Sequence, residues 1–403
     1  MSFWRFVKKK QKRIYLDFAA ATPVHPEVLA VMTPYFSKHF GNAGAIHKEG
    51  VESRDTIEDA RLRLARLLRI REGNVIFTSG GTEANNLAIL GTLEALREKG
   101  RNWNEMEVLT TKLEHPSVLK VMDVLEAQGV TITHVPVDGA GLIEISDFKK
   151  TLSEKVVLAT FAYVNSETGV VQNVKKLTHS IRAYNTEHKT NIRTHLDASQ
   201  APLWLPCQMD ALGVDMMTLD AGKCYGPKGA GALTFMGDID IHTQTHGGSQ
   251  EKGKRAGTEN TPLIVGMVEA FVRAQEKWEV RSERVGILRK KFEERLLSEI
   301  PEAVVNGSTE SRVANNVNIS IPGFDSEYAV VVLDAEGIAA ATRSACGGAD
   351  GSGSHVVREM TGDDARADAT LRFTLGEETI MSDITKAVRV LKKHIDMMRS
   401  SAV

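Results

Sequence analysis

Cysteine is scarce in this chain: Cys207, Cys224 and Cys346 are the only three among 403 residues, too few and too widely spaced for a disulfide framework or a zinc knuckle. At least one thiol is therefore left free. An excess of one charge is also missing, since 50 Lys and Arg face 52 Asp and Glu. That near balance gives no electrostatic reason to expect nucleic acid or a membrane surface as the main partner, and leaves small molecules and proteins. No apolar run approaches the roughly 20 residues that a bilayer-spanning helix needs. The opening Met1–Arg13 lacks the apolar centre of a signal peptide and reads as a frayed basic terminus, with Trp4, Phe6 and Val7 among Lys8, Lys9, Lys10, Lys12 and Arg13. A cytoplasmic location is the expectation.

What is present is a composition 42% hydrophobic and 25% charged, which suits one large core with a smaller appended unit. Short β-branched or apolar runs at 75–78, 108–111, 130–135, 156–164, 192–196, 216–219 and 230–235 read as strands. Segments between them, such as 83–98 and 117–128, have helical spacing. Repeated strand-helix units imply an α/β fold with a mainly parallel seven-stranded sheet covered by helices on both faces. That large domain is expected over residues 15–275. Residues 276–403 are expected to form a smaller C-terminal α+β domain, with residues 1–14 packing near it. Its signals are one long charged helix around 263–300, strands near 317–321 and 371–375, and a terminal helix from Ser382. Gly and Ser dominate 347–354, the pattern of a mobile loop.

Four segments carry candidate chemistry. Thr78-Ser79-Gly80-Gly81-Thr82-Glu83-Ala84-Asn85-Asn86 joins a strand end to a helix start, where backbone N–H groups and the helix dipole suit a phosphate; a plain N-cap at Thr82 fits equally. Thr194-His195-Leu196-Asp197-Ala198-Ser199-Gln200 puts a carboxylate just past a buried strand, at the edge where open α/β sheets collect ligands. There Asp197 can pair with a protonated ring nitrogen or cap the next helix. Ala221-Gly222-Lys223-Cys224-Tyr225-Gly226-Pro227-Lys228-Gly229 sets a lysine among small residues, where a desolvated amine can form a Schiff base. Arg343-Ser344-Ala345-Cys346-Gly347-Gly348 places a thiol at the head of the Gly/Ser loop, and its thiolate would be the nucleophile. Cys207 and Cys224 fit small-hydrophobe positions better.

Read together, these segments resemble the NifS/IscS-like cysteine desulfurases of the class V aminotransferase group, and the likeness runs from Tyr15-Leu16-Asp17 to the terminal helix. Phe40-Gly41-Asn42, Glu114-His115, Glu167-Thr168-Gly169, Gly247-Gly248-Ser249-Gln250-Glu251, Arg255-Ala256-Gly257-Thr258, Ser354-His355-Val356 and Leu371-Arg372-Phe373-Thr374-Leu375-Gly376 extend it. The resemblance implies a fold-type-I transferase dependent on pyridoxal 5'-phosphate (PLP), with Lys223 as the cofactor lysine and Cys346 receiving sulfur from L-cysteine as a persulfide. It implies that His115 stacks on the pyridine ring, Asp197 pairs with its nitrogen and Gln200 bonds its phenolic oxygen. Gly81 and Thr82 would hold the phosphate, with Thr258 reaching it from the second subunit of a homodimer. Arg372, helped by Asn42, would bind the substrate carboxylate, which suits its planar fork. The sulfur would pass to an acceptor protein such as an iron–sulfur scaffold.

Departures from the family pattern accompany the matches. The Ser-x-His that usually precedes the lysine reads Asp220-Ala221-Gly222, and an Asp carboxylate close to a phosphate dianion repels it. The Asn usually three residues before Gly169 is Ser166, with Asn165 one residue earlier. The usual Asn-Pro-Ser reads Asn42-Ala43-Gly44. Three other readings stay open: an aminotransferase or lyase of the same fold that does not depend on Cys346, a selenocysteine lyase, and a non-catalytic relative with weakened PLP binding.

Overall fold

The structure, a computed structural model, describes residues 13–342 and 353–401. Cys346, Arg343 and most of the expected Gly/Ser loop lie outside the described residues. In chain order the main elements are α1 (Lys48–Leu68), β1 (Val75–Thr78), α2 (Gly81–Glu98), β2 (Glu107–Thr110), α3 (Pro116–Ala127), β3 (Thr131–His134), β4 (Val156–Ala162), α4 (Val174–His188), β5 (Arg193–Asp197), β6 (Met216–Asp220) and β7 (Gly231–Phe235). They are followed by α5 (Thr261–Glu276), α6 (Trp278–Glu299), β8 (Asn316–Ser320), α7 (His355–Thr361), β9 (Thr370–Thr374) and α8 (Met381–Ser401).

The seven-stranded sheet has the order β1-β7-β6-β5-β4-β2-β3. β7 runs antiparallel to both β1 and β6, and every other pairing is parallel. Six strands therefore point one way, as the strand-helix alternation requires. Both faces are covered. Met216 joins a cluster with Ile76, Leu87, Val108 and Val121, while its neighbour Met217 points into another with Leu64, Leu219 and Phe271. The period of two along a strand buried on both sides accounts for this split.

The second cluster continues without a break into Phe292, Phe373 and Leu391, so the C-terminal elements pack on the same apolar mass. There β8 pairs antiparallel with β9 and with Val304–Val305. Ile14–Tyr15 pairs in parallel with Ile338–Ala339, and Asp17 bridges Thr374. Residues 14–17 thus pair with the C-terminal part before the chain enters the large sheet.

The long helix expected around 263–300 is two helices, α5 and α6, which meet at a non-helical Lys277 (φ −125°, ψ 12°). Arg281 explains the break. Its guanidinium turns back to donate to the carbonyl oxygens of Ala274 and Leu203, each at 2.9 Å, serving a carbonyl that the end of α5 leaves open. Periodicity does not register such a one-residue interruption.

Gly247–Glu251, which the resemblance singles out, has a structural use at its last residue. Glu251 and Lys252 both have positive φ (47° and 58°), a strained backbone for side-chain-bearing residues. The buried Glu251 carboxylate holds Arg61 at 2.8 and 3.0 Å and accepts the Phe77 N–H at 3.1 Å on edge strand β1. Replacing Glu251 by Ala leaves the Arg61 charge buried without this partner. A loss of about 3–5 kcal/mol of stability is expected, measured as a lower denaturant midpoint; a shift under about 1 kcal/mol refutes this role for the pair.

Candidate active site

Strands that point one way bring the loops at their carboxyl ends to one edge. Asp197 closes β5, Asp220 closes β6, and Lys223 ends the single 3-10 turn Ala221–Lys223 that follows. A cavity of about 160 Å³ opens at this edge. Gly81, Thr82, His115, Ser166, Asp197, Gln200, Asp220, Lys223 and Arg372 all line it. Asn42 and Thr258 do not; both are exposed on the same chain, and the Asn42 side chain accepts the Gly44 N–H at 2.9 Å.

The Lys223 Nζ donates to the main-chain oxygens of Ala20 (2.6 Å) and Ala19 (3.2 Å). Gln200 donates its Nε2 to the same Ala19 oxygen at 2.9 Å. The segment that leaves the C-terminal sheet at Asp17 therefore positions both side chains.

Asp197 is held by three donors. Asn85 Nδ2 approaches one oxygen at 2.8 Å, and the Ser199 N–H and hydroxyl approach the other at 2.9 and 2.6 Å. Asn85 also donates to Ser117 Oγ at 2.9 Å, which in turn lies 2.8 Å from His115 Nδ1. Residue type and pattern alone assign Asn85 no role. Its signal was its place four residues after Gly81 on α2, which puts both on one helical face.

His115 is the N-cap of α3, with Pro116 in the first turn, as a proline there favours. Its Nδ1 accepts the Ser117 N–H at 3.1 Å, so a neutral ring carries its proton on Nε2. Burial pushes its pKa below the ordinary value, opposed by the Asp197 carboxylate. The cap and the cavity position coexist in one residue. Behind the cavity, His195 is fully enclosed between Thr160 Oγ1 (2.8 Å) and Thr218 Oγ1 (3.0 Å), and burial lowers its pKa as well.

Arg372 in β9 is 1% exposed. It meets Asp17 at 2.8 Å and the Ser166 carbonyl oxygen at 2.9 Å, while its Nε is buried with no hydrogen-bond partner among the described residues. Ser166 and Asn165 both line the cavity, and the Asn165 side chain also braces the turn that follows. The Asn165 amide donates to the Leu113 oxygen at 2.9 Å, and its own oxygen accepts the N–H groups of Glu167 and Thr168.

Two thiols can be judged directly. Cys207 and Cys224 are buried; burial pushes the first up to about 12 and the second well above its ordinary value. Neither supplies a thiolate near neutral pH.

Residues 14–386 match the aminotransferase class-V family, and the chain belongs to it. Among curated relatives, the cysteine desulfurase IscS of Dictyoglomus turgidum is 37% identical over 390 residues, 97% of this chain and 96% of that protein. The IscS of Clostridium botulinum is 34% identical, covering 96% of each. Among solved structures, a NifS-like protein superposes with a TM-score of 0.87 at 28% identity, over 96% of this chain and all of that one. SspA in complex with cysteine superposes with a TM-score of 0.76 at 29% identity, over 91% of this chain and all of that one. The α/β architecture with its mainly parallel seven-stranded sheet is thus that of the NifS-like, fold-type-I proteins.

PLP is the cofactor of this family, and the donor set suits its ring and aldehyde: a lysine amine bonded to main-chain oxygens, a carboxylate fixed by neutral donors, and an imidazole on the same cavity wall. The phosphate end differs, because the first amide of α2, Gly81 N–H, already donates to Asp220 at 3.1 Å.

Glu114, next to His115, is fully buried and its pKa rises to about 8, with burial the main cause and only Thr111 and main-chain bonding in opposition. Between about pH 4.5 and 8 the unfolded chain loses this proton while the folded protein keeps it, so stability falls as pH rises through that window and levels off above it. Glu114→Gln is expected to remove this loss, on the order of 4 kcal/mol. Melting curves at pH 5 and pH 9 check it: wild type should lose more stability on alkalinisation than the variant.

Proposed function

We propose that this chain is a PLP-dependent cysteine desulfurase that converts L-cysteine to L-alanine and holds the sulfur as a persulfide on Cys346. The observation that carries the reading is the meeting of Lys223, Asp197, His115 and Arg372 around one cavity, in a chain 37% identical to a curated cysteine desulfurase. Residues 15–275 would be the large PLP-binding domain and 276–403 the smaller one.

When bound, the cofactor supplies an electron sink for the substrate's Cα. Lys223 would anchor it and, once freed, take the Cα proton. Asp197, kept in place by Asn85 and Ser199, would keep a proton on the ring nitrogen; His115 would cover the ring and Gln200 would bond its phenolic oxygen. Gly81 and Thr82, with Ser166 and Asp220 nearby, would line the rest of its site. Arg372, whose Nε has no hydrogen-bond partner among the described residues, would bind the substrate carboxylate. Asn42 and Thr258, exposed on their own chain, would act in a homodimer.

The Cys346 thiolate would attack the sulfur of bound cysteine. An S–S bond forms, the Cβ–S bond breaks with its electron pair passing to carbon, and protonation there yields alanine. A sulfur-acceptor protein, such as an iron–sulfur scaffold, would then take the terminal sulfur. The anchors of the intervening segment favour this role. Ala341 exchanges main-chain bonds of 3.1 and 2.6 Å with Arg372 itself, and Ser354 bonds Glu167 at 2.5 Å. Cys346 follows Thr342 by four residues, a span of at most about 14 Å.

Cys346→Ala should cut alanine formation from cysteine by about 100-fold or more while leaving the visible absorbance of the lysine-bound cofactor; unchanged turnover would mean an aminotransferase or lyase that does not use this thiol. Lys223→Ala should abolish that absorbance.

A further inference from the structure

The end of the cavity where a phosphate would sit is already held by a negative charge from the chain itself. One Asp220 oxygen accepts the Gly81 N–H at 3.1 Å and the other accepts the Gly222 N–H at 2.8 Å. This carboxylate therefore clamps the start of α2 to the turn that presents Lys223. α2 is 18 residues long, and the positive end of its dipole meets Asp220 at its first amide.

The approach is a built one. A Cβ at Gly81 would lie 2.9 Å from Ser199 Oγ and 3.3 Å from an Asp220 oxygen, and one at Gly222 would lie 3.2 Å from the other Asp220 oxygen; side chains at 81 or 222 would crowd the carboxylate. Glu83, in the first turn of α2, accepts the Ser79 N–H at 2.7 Å and pairs with Arg255 at 2.8 Å, so the Arg255 guanidinium is already balanced. Lys223 directs its amine to the main-chain oxygens of Ala19 and Ala20.

We propose that Asp220 is an internal competitor for the anion seat at the start of α2, so that a phosphate on the bound cofactor must displace it and contributes less to affinity than this helix end would otherwise give. The inference rests on the PLP reading above and adds a specificity-determining residue to it. Asp220 discriminates between ligands by the charge they carry at this end.

The test compares two aldehydes that differ only in this group, PLP and unphosphorylated pyridoxal. Each is titrated into cofactor-free full-length protein and followed by visible absorbance and calorimetry, for wild type and for the Asp220→Asn, Asp220→Ser and Asp220→Glu variants. Melting temperatures without ligand establish that each variant is folded, and the Ser variant serves if the Asn variant is not. The preference for PLP over pyridoxal, as a ratio of dissociation constants, is expected to rise about tenfold or more in the Asn and Ser variants. It should stay near the wild-type ratio in the Glu variant. An unchanged ratio in folded Asn and Ser variants overturns the role of Asp220 while leaving the cofactor assignment standing. Absence of any Lys223-dependent absorbance with either aldehyde, in every protein, overturns the cofactor assignment and this inference together.

Discussion

Six strands that end at one edge are the constraint on which everything else depends. A parallel sheet needs a crossover after each strand, so the segments that follow β1, β2, β4, β5 and β6 all emerge on the same side. Short turns there bring Gly81, His115, Ser166, Asp197 and Lys223 to one cavity. The C-terminal unit closes the remaining wall with Arg372, and the Asp17–Ala20 segment ties the two parts together by pairing with β9 and then bonding Lys223 and Gln200.

Charge placement separates the cavity into ends of different character. At the Asp197 end, a carboxylate is surrounded by neutral donors and a proton-poor imidazole, an arrangement that favours a cationic ring atom. At the Asp220 end, the carboxylate spends both oxygens on backbone amides. A third site pairs Arg372 with Asp17 yet leaves one guanidinium nitrogen buried and, among the described residues, unbonded. Buried donors of this kind carry a desolvation cost that a ligand relieves.

Much of the fold was legible because its signals are local. The strand starts and ends read from β-branched runs agree with those found to within two residues, and the α2 and α3 starts agree as well. The break at Lys277 was not legible, since it arises when Arg281 folds back onto carbonyl oxygens of Ala274 and Leu203. In the site, residues with distinctive chemistry (Lys223, Asp197, His115, Arg372) stood out, whereas Asn85 did not. Its contribution is a pair of hydrogen bonds to Asp197 and Ser117 whose partners are remote in sequence.

The sequence alone determined the alternation of strand and helix, the lysine set among small residues and the departure at Asp220, because periodicity and residue type are properties of neighbours along the chain. Only the tertiary structure decided what that departure does. Asp220 and Gly81 are 139 residues apart, and Arg372 and Asp17 are 355 apart. Which charge faces which amide follows from how the strands are ordered in the sheet and how closely glycine lets the backbone approach, and neither is written in any local stretch of residues.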